Sequence, residues 1–249
     1  MPAILLSQIE VLYHTKRSIF FREQSSKMYS AFTFTASMVL ADIPYSILCA
    51  VCFYLPLYFM PGLSAEPTRA GYQFFMVLIT EFFSVTLAQC LAALTPSTFI
   101  SSQFDPFIMI TFALFCGVTI PAPRMPGFWR AWLYQLDPFT RLIGGMTVTA
   151  LHDVPVVCTP QELNRFAAPA GQTCGEYMRK FFDDGGAGYL VSNATSACEY
   201  CAYKVGDQFY EPLGFSFDHR WRDLGIYICF VASNLIILFT AVSTPDLTK

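Results

Sequence analysis

AFTFTASMVLADIPYSILCAVCFYLPLYF, residues 31–59, carries a single charge, Asp42, and is broken at Pro44. As a helix it would be about 44 Å long, more than the roughly 30 Å of a bilayer's hydrocarbon core. It therefore reads as a membrane span whose surplus length is taken up by tilt, by a kink at Pro44 or by an interfacial start. Outward from it the pattern repeats. A second run extends from Tyr72 to Thr95 with Glu81 as its only charge, and a third from about Phe104 to Ile120. A fourth, Leu224 to Val242, has no charge and is followed by Pro245, as suits a helix leaving the membrane. Leu133 to Leu151 is also apolar but contains Asp137, Pro138, Arg141 and the pair Gly144-Gly145, so a re-entrant or interfacial element is expected there.

The expected fold is an all-α membrane protein with about four transmembrane helices. Its parts divide as 1–30, the end of a preceding span with a connecting helix; 31–120, three spans; 121–151, the re-entrant element; 152–223, a polar cysteine loop; and 224–249, the last span and a tail. Composition agrees: of 249 residues 54% are hydrophobic and only 13% charged, and the charges gather in 10–30 and 152–223. Lysines and arginines are too sparse for a nucleic-acid face. The opening MPAILLSQIEVLYHTKRS has no basic region before its apolar stretch and no small-residue cleavage site. It reads as a chain cut in mid-domain rather than as a signal peptide.

Four spans place both termini on one side, and Lys16, Arg17, Arg22 and Lys27 beside the first span mark that side as cytoplasmic. The loop 152–223 then faces outward, where its Cys158, Cys174, Cys198 and Cys201 and the acceptor pattern Asn193-Ala194-Thr195 make joint sense. The Cys198/Cys201 spacing could mark half of a zinc site or a redox pair. With no second such spacing and no histidine pair, structural disulfides are the preferred reading, and four cysteines allow three pairings. No metal site is expected, and His14, His152 and His219 are too dispersed to form a set. Asp42 reads as an interfacial carboxylate in preference to a coupling group. Glu81 pairs with a neighbouring helix or contacts substrate, and Asp105 before Pro106 marks the start of the third helix as a cap. Residues 18–30 mix apolar and charged side chains as a helix lying in the interface would.

Several motifs, in this order, resemble a known family. They are Phe20-Phe-Arg-Glu23 through Tyr29, Ala41-Asp-Ile-Pro-Tyr45, Phe115-Cys-Gly-Val-Thr-Ile-Pro121, Met125-Pro-Gly-Phe-Trp129, Leu136-Asp-Pro-Phe139 and Arg220-Trp-Arg-Asp223. Together they are similar to the later part of the second transmembrane domain of G-type ABC exporters, nearest to the pleiotropic drug resistance transporters of fungi. The resemblance implies an ABC-2 type membrane domain forming part of an outward path for amphipathic drugs or lipids across the plasma membrane. It implies partners too: the other transmembrane domain, and nucleotide-binding domains carrying ATP and Mg. No glycine is followed by lysine, so the phosphate-cradling motif is missing, and this chain by itself is expected neither to hydrolyse ATP nor to hold a cofactor.

On the family pattern the path runs by Ile110, Ala113 and Leu114, with Val118 and Thr119 beside Gly117 at the outer constriction, and Glu81 as a further candidate. Phe21, Arg22, Glu23 and Tyr29 are the receiving end for motion in the nucleotide-binding domains. The resemblance also favours the nested pairing Cys158–Cys201 and Cys174–Cys198. A tetraspanin-like membrane organiser shares the four spans and cysteine-bearing loop, but it expects a Cys-Cys-Gly that is absent here. An intramembrane enzyme would need paired catalytic residues in adjoining spans, and none stand out.

Overall fold

In a computed structural model, residues 2–63, 66–195 and 197–244 are described. Helix α1 (Pro2–Ser25) is followed by α2 (Ala31–Phe59), α3 (Pro67–Leu94) and α4 (Thr98–Phe115). Three short helices, α5 (Gly127–Ala131), α6 (Leu133–Leu136) and α7 (Pro138–Leu151), lead into the polar loop. The loop holds β1 (Asn164–Phe166), α8 (Cys174–Asp183), β2 (Tyr189–Ser192), β3 (Cys198–Cys201) and α9 (Asp207–Tyr210), and α10 (Arg220–Ser243) closes the bundle. Four helices, α2, α3, α4 and α10 with the turn before it, are long and apolar enough to cross a membrane. The tail beyond residue 244, with Pro245, lies outside the described residues.

Helix α3 is the axis of the molecule. It packs against α1, α2, α7 and α10, and 56% of its most apolar stretch is buried, against 11% for α2 and for α4. Its sequence explains this: Ser84, Ala88, Ala92 and Ala93 are small, so neighbouring backbones can approach closely where lipid supplies no hydrophobic drive between helices. At one end of the bundle Tyr13, Phe20, Phe34, Ala92, Ala93, Leu238 and Ala241 form a core. Nearer the loop, Tyr72, Met76, Phe83 and Tyr227 form another. There Gly145 of α7 faces α3 so closely that an added Cβ would meet Tyr72 Oη and lie 2.8 Å from Met76 Cε.

Three expectations need correction. Residues 18–25 do not form a separate interfacial helix: they are the last turns of α1, because Phe20 is buried (1% exposed) and stacks on Phe34 with centroids 4.5 Å apart. The third span begins at Thr98 and ends at Phe115, not at 104 and 120. Its cap is Ser97, whose Oγ accepts from the Ile100 N–H at 3.5 Å, so Asp105 sits inside the helix and does not cap it. The element at 133–151, by contrast, is short as expected: it is α6 plus a 14-residue α7 of about 21 Å, too short to cross a bilayer. It is tied to α10 by an ion pair of 3.2 Å between Arg141 and Asp223.

The loop folds around an antiparallel sheet in the order β1-β3-β2. Disulfides Cys158–Cys201 and Cys174–Cys198 anchor both ends of the central strand, the nested pairing that the resemblance implied. Helix α8 starts with a capping box in which Thr173 and Glu176 satisfy each other's backbone N–H groups. Cys49, Cys52, Cys90, Cys116 and Cys229 are free thiols in the apolar segments.

Candidate functional site

Helix α4 is apolar yet almost wholly uncovered by the chain. Ile110 (59% exposed), Ala113 and Leu114 (44%) lie on its open side, continued toward the cap end by Phe99, Phe104 and Phe107. The opposite side packs on α1 and α7, with Ser101 and Asp105 buried. Val118 and Thr119 are not helical. They lie in the turn after Cys116, where Gly117 has φ +89° and an added Cβ would sit 3.0 Å from the Tyr134 ring. That turn is held by the Thr119 hydroxyl, which donates to the Ala113 carbonyl at 3.2 Å.

Glu81 is not brought to this strip. It is buried on α3 and borders a cavity of about 260 Å³ between α2, α3 and α7, walled by Phe53, Leu57, Val77, Phe139, Leu142 and Met146. A second, smaller cavity on its other side reaches Asp42 and Tyr45. Asp42 has a partner: its Oδ2 accepts from Gln89 Nε2 of α3 at 2.6 Å. The polar pair joins α2 to α3 where each lone group would be costly in lipid.

At the end of α1, Phe21 and Arg22 are exposed while Glu23 turns back, its Oε2 accepting from the Tyr29 hydroxyl at 2.5 Å. This closes the turn of residues 26–30 against Phe20, which lies 5.6 Å from the Tyr29 ring. Asn193 is exposed, and its Oδ1 accepts from the Gly175 N–H at the start of α8.

Sequence reasoning missed three groups. Arg17, read as one charge of the cytoplasmic cluster, is 7% exposed and donates to the carbonyls of Ala92 at 2.7 Å, Ala93 at 3.3 Å and Thr95 at 2.9 Å. It caps the C-terminus of α3, where four carbonyls lack helical partners. Glu10 is fully buried against α4, facing Ser101 and Asp105. In the loop, His152, Asp153 and Asp207 place ligand-type atoms within 4.8 Å of one another. His152 Nδ1 donates to Asp207 Oδ1 at 2.9 Å, the Tyr210 hydroxyl donates to the same carboxylate, and the imidazole stacks on Phe217 at 3.8 Å. Burial opposes ionisation of Asp207, but the bonds from Tyr210, His152 and the Asp153 N–H outweigh it and hold the carboxyl below the usual aspartate value. Burial and then the Asp207 bond push the Tyr210 hydroxyl above the usual tyrosine range. Only the adjacency of His152 and Asp153 was visible in sequence, because Asp207 arrives through the fold.

Residues 1–151 match the family described as ABC-2 type transporter. The chain belongs to this family. It is 65% identical over 243 residues to the ABC multidrug transporter I of Aspergillus fumigatus, covering 98% of this chain and 16% of that protein. It is 37% identical over 239 residues to the ABC multidrug transporter G of the same fungus, covering 94% and 18%. With the ABC transporter G family member 17 of Dictyostelium discoideum the identity is 32% over 243 residues, covering 96% and 16%. The chain thus spans about a sixth of the length of these curated relatives. The ABC-2 match stops at Leu151, the end of α7, whereas the alignment with the Aspergillus transporter I runs through the loop and α10 as well. This ABC-2 membrane segment is therefore an integral membrane protein whose disulfide-held loop is part of the shared chain.

Proposed function

We propose that this chain forms part of the translocation path of an ATP-driven exporter of amphipathic drugs or lipids. The observation that carries the reading is the apolar strip of α4, which the chain leaves open while the helix's other side packs on α1 and α7 through the buried Ser101 and Asp105. In this reading Ile110, Ala113 and Leu114 face the second transmembrane domain across a cavity, with Val118 and Thr119 at its outer end. An apolar wall suits ligands held by shape and hydrophobic contact. ATP and Mg act on partner nucleotide-binding domains, and the segment Phe21, Arg22, Glu23 to Tyr29 receives their motion at the end of α1. That segment is braced: Arg17 ties α1 to the end of α3, so a push there moves the bundle's axis. Glu81 acts away from the strip, at its own cavity between α2, α3 and α7.

The loop faces the oxidising outside of the plasma membrane, with Asn193 glycosylated and both termini cytoplasmic. The similarity to two multidrug transporters of Aspergillus fumigatus supports the substrate class. The test uses the full-length transporter carrying this segment with Leu114→Trp. Drug efflux falls or its drug range narrows while basal ATP hydrolysis persists. Efflux and range unchanged for every drug would remove the α4 strip from the path.

A further inference from the structure

The start of α3, the end of α7 and the start of α10 meet on the loop side around a cavity of about 450 Å³. Its size falls in the ~300–1,000 Å³ range of ligand sites, and it shares no lining residue with the Glu81 cavity. Two guanidiniums line it. Arg69 is held in place, its Nε on Glu66 at 2.7 Å and its Nη1 on the His152 carbonyl at 2.5 Å. Arg220 is held differently: its Nη1 donates to the Phe217 carbonyl at 3.2 Å and its guanidinium lies 3.8 Å from the Phe217 ring centroid. Among the described residues no carboxylate forms an ion pair with Arg220, whereas Arg69 in the same wall has Glu66. The neighbouring Trp221 is 58% exposed and packs edge-on against Tyr72, whose hydroxyl donates to the Arg220 carbonyl at 2.8 Å.

We propose that this cavity binds the headgroup of a zwitterionic glycerophospholipid from the leaflet on the loop side, with its phosphodiester on Arg220 and its acyl chains leaving past Trp221. Depth is the first reason. Two helices long enough to span, α3 and α10, begin here, so the cavity lies at the level of the headgroups, where an exposed tryptophan on a spanning helix belongs. Chemistry is the second. A planar guanidinium without a carboxylate partner matches phosphate oxygens through paired charge-assisted bonds, and its bond to the Phe217 carbonyl and its seat over the Phe217 ring hold it in place. Charge is the third. Glu66 and Asp153 balance Arg69 and Arg220 in the wall, which suits a headgroup of no net charge better than an anionic one. The inference concerns a lipid bound to the protein and does not depend on what is exported.

The test uses the chain in detergent with Trp129→Phe and Trp132→Phe, which leaves Trp221 as the only tryptophan of three. Its fluorescence is followed on titration with dioctanoyl phosphatidylcholine, dioctanoylglycerol and inorganic phosphate. The expected result is a saturable change with phosphatidylcholine alone, with affinity weakened about tenfold or more by Arg220→Gln and less by Arg220→Lys. An equal response to dioctanoylglycerol, an equal response to inorganic phosphate, no saturable response to phosphatidylcholine, or indifference to Arg220→Gln would each overturn the proposal. Should Arg220→Gln lose its helical circular dichroism, the three-ligand comparison on the Arg220 protein and the Arg220→Lys titration decide.

Discussion

Arg17 does more for the packing than its place in a basic cluster suggests. Three carbonyls at the end of α3 accept from one guanidinium that is almost completely buried. Arg17→Gln shortens the side chain and removes the charge, so those carbonyls lose their partner in an apolar setting. A loss of about 2–4 kcal/mol is expected, measured as a lower thermal midpoint of the purified chain in detergent. Glycines give a paired prediction. Gly145→Ala forces a Cβ into Tyr72 and Met76 and should destabilise by about 1–3 kcal/mol, whereas Gly71→Ala meets nothing within 4 Å and should be neutral or slightly stabilising. Asp207 supplies a pH dependence. Its folded carboxyl lies below the ordinary 3.8, so its contribution to the loop is present above that value and is lost as pH falls through the lower, folded one. Limited proteolysis of the loop between pH 2 and 6 should show opening at the acid end, and Asp207→Asn should already be more open at pH 6. At this scale the sequence was least informative. Arg17, Glu10 and Asp207 act on partners far along the chain, and spacing along one strand of sequence cannot show them. Asp105 misled for a local reason: Asp-Pro resembles a helix start, but Ser97, which follows Pro96 about two turns earlier, takes the cap.

Elements were more legible, because periodicity and length report directly on what a bilayer demands of a backbone. The runs at 31–59 and 72–95 mark α2 and α3 to within a few residues, and the interruptions at Asp137, Pro138 and Gly144-Gly145 mark an element that does not span. The mixed composition of residues 18–30 was ambiguous: the burial of Phe20 against Phe34, a tertiary contact, makes the first half of it the end of α1. Cysteine spacing left three pairings open; the sheet, which holds Cys198 and Cys201 on one central strand, sets aside the pairing of those two with each other, and the disulfides themselves are the nested pair. The loop has little core of its own beyond Val148, Tyr210 and Phe215 beneath it, so the staples should matter. Replacing Cys158 and Cys201 together by Ala should cost the loop about 2–5 kcal/mol and expose it to protease, with the helical circular dichroism of the bundle unchanged. Simultaneous loss of helix signal would show that the loop and the bundle fold as one unit.

For the whole molecule, burial is lopsided. The axis α3 is covered on most sides, while α2, α4 and α10 present long apolar faces. Part of that surface meets lipid, and hydrophobicity alone cannot separate a lipid face from a path wall, which is why the sequence named the strip only through a family resemblance. The separation is a matter of water access. In the full-length transporter stripped of its free cysteines, Leu114→Cys on α4 and Ile236→Cys on the exposed face of α10 should differ toward a membrane-impermeant maleimide applied from either side. The account predicts that Leu114→Cys is modified at a measurable rate which transported drug slows, while Ile236→Cys is not modified. Labelling of Leu114→Cys no faster than that of Ile236→Cys, and unaffected by drug, would contradict it.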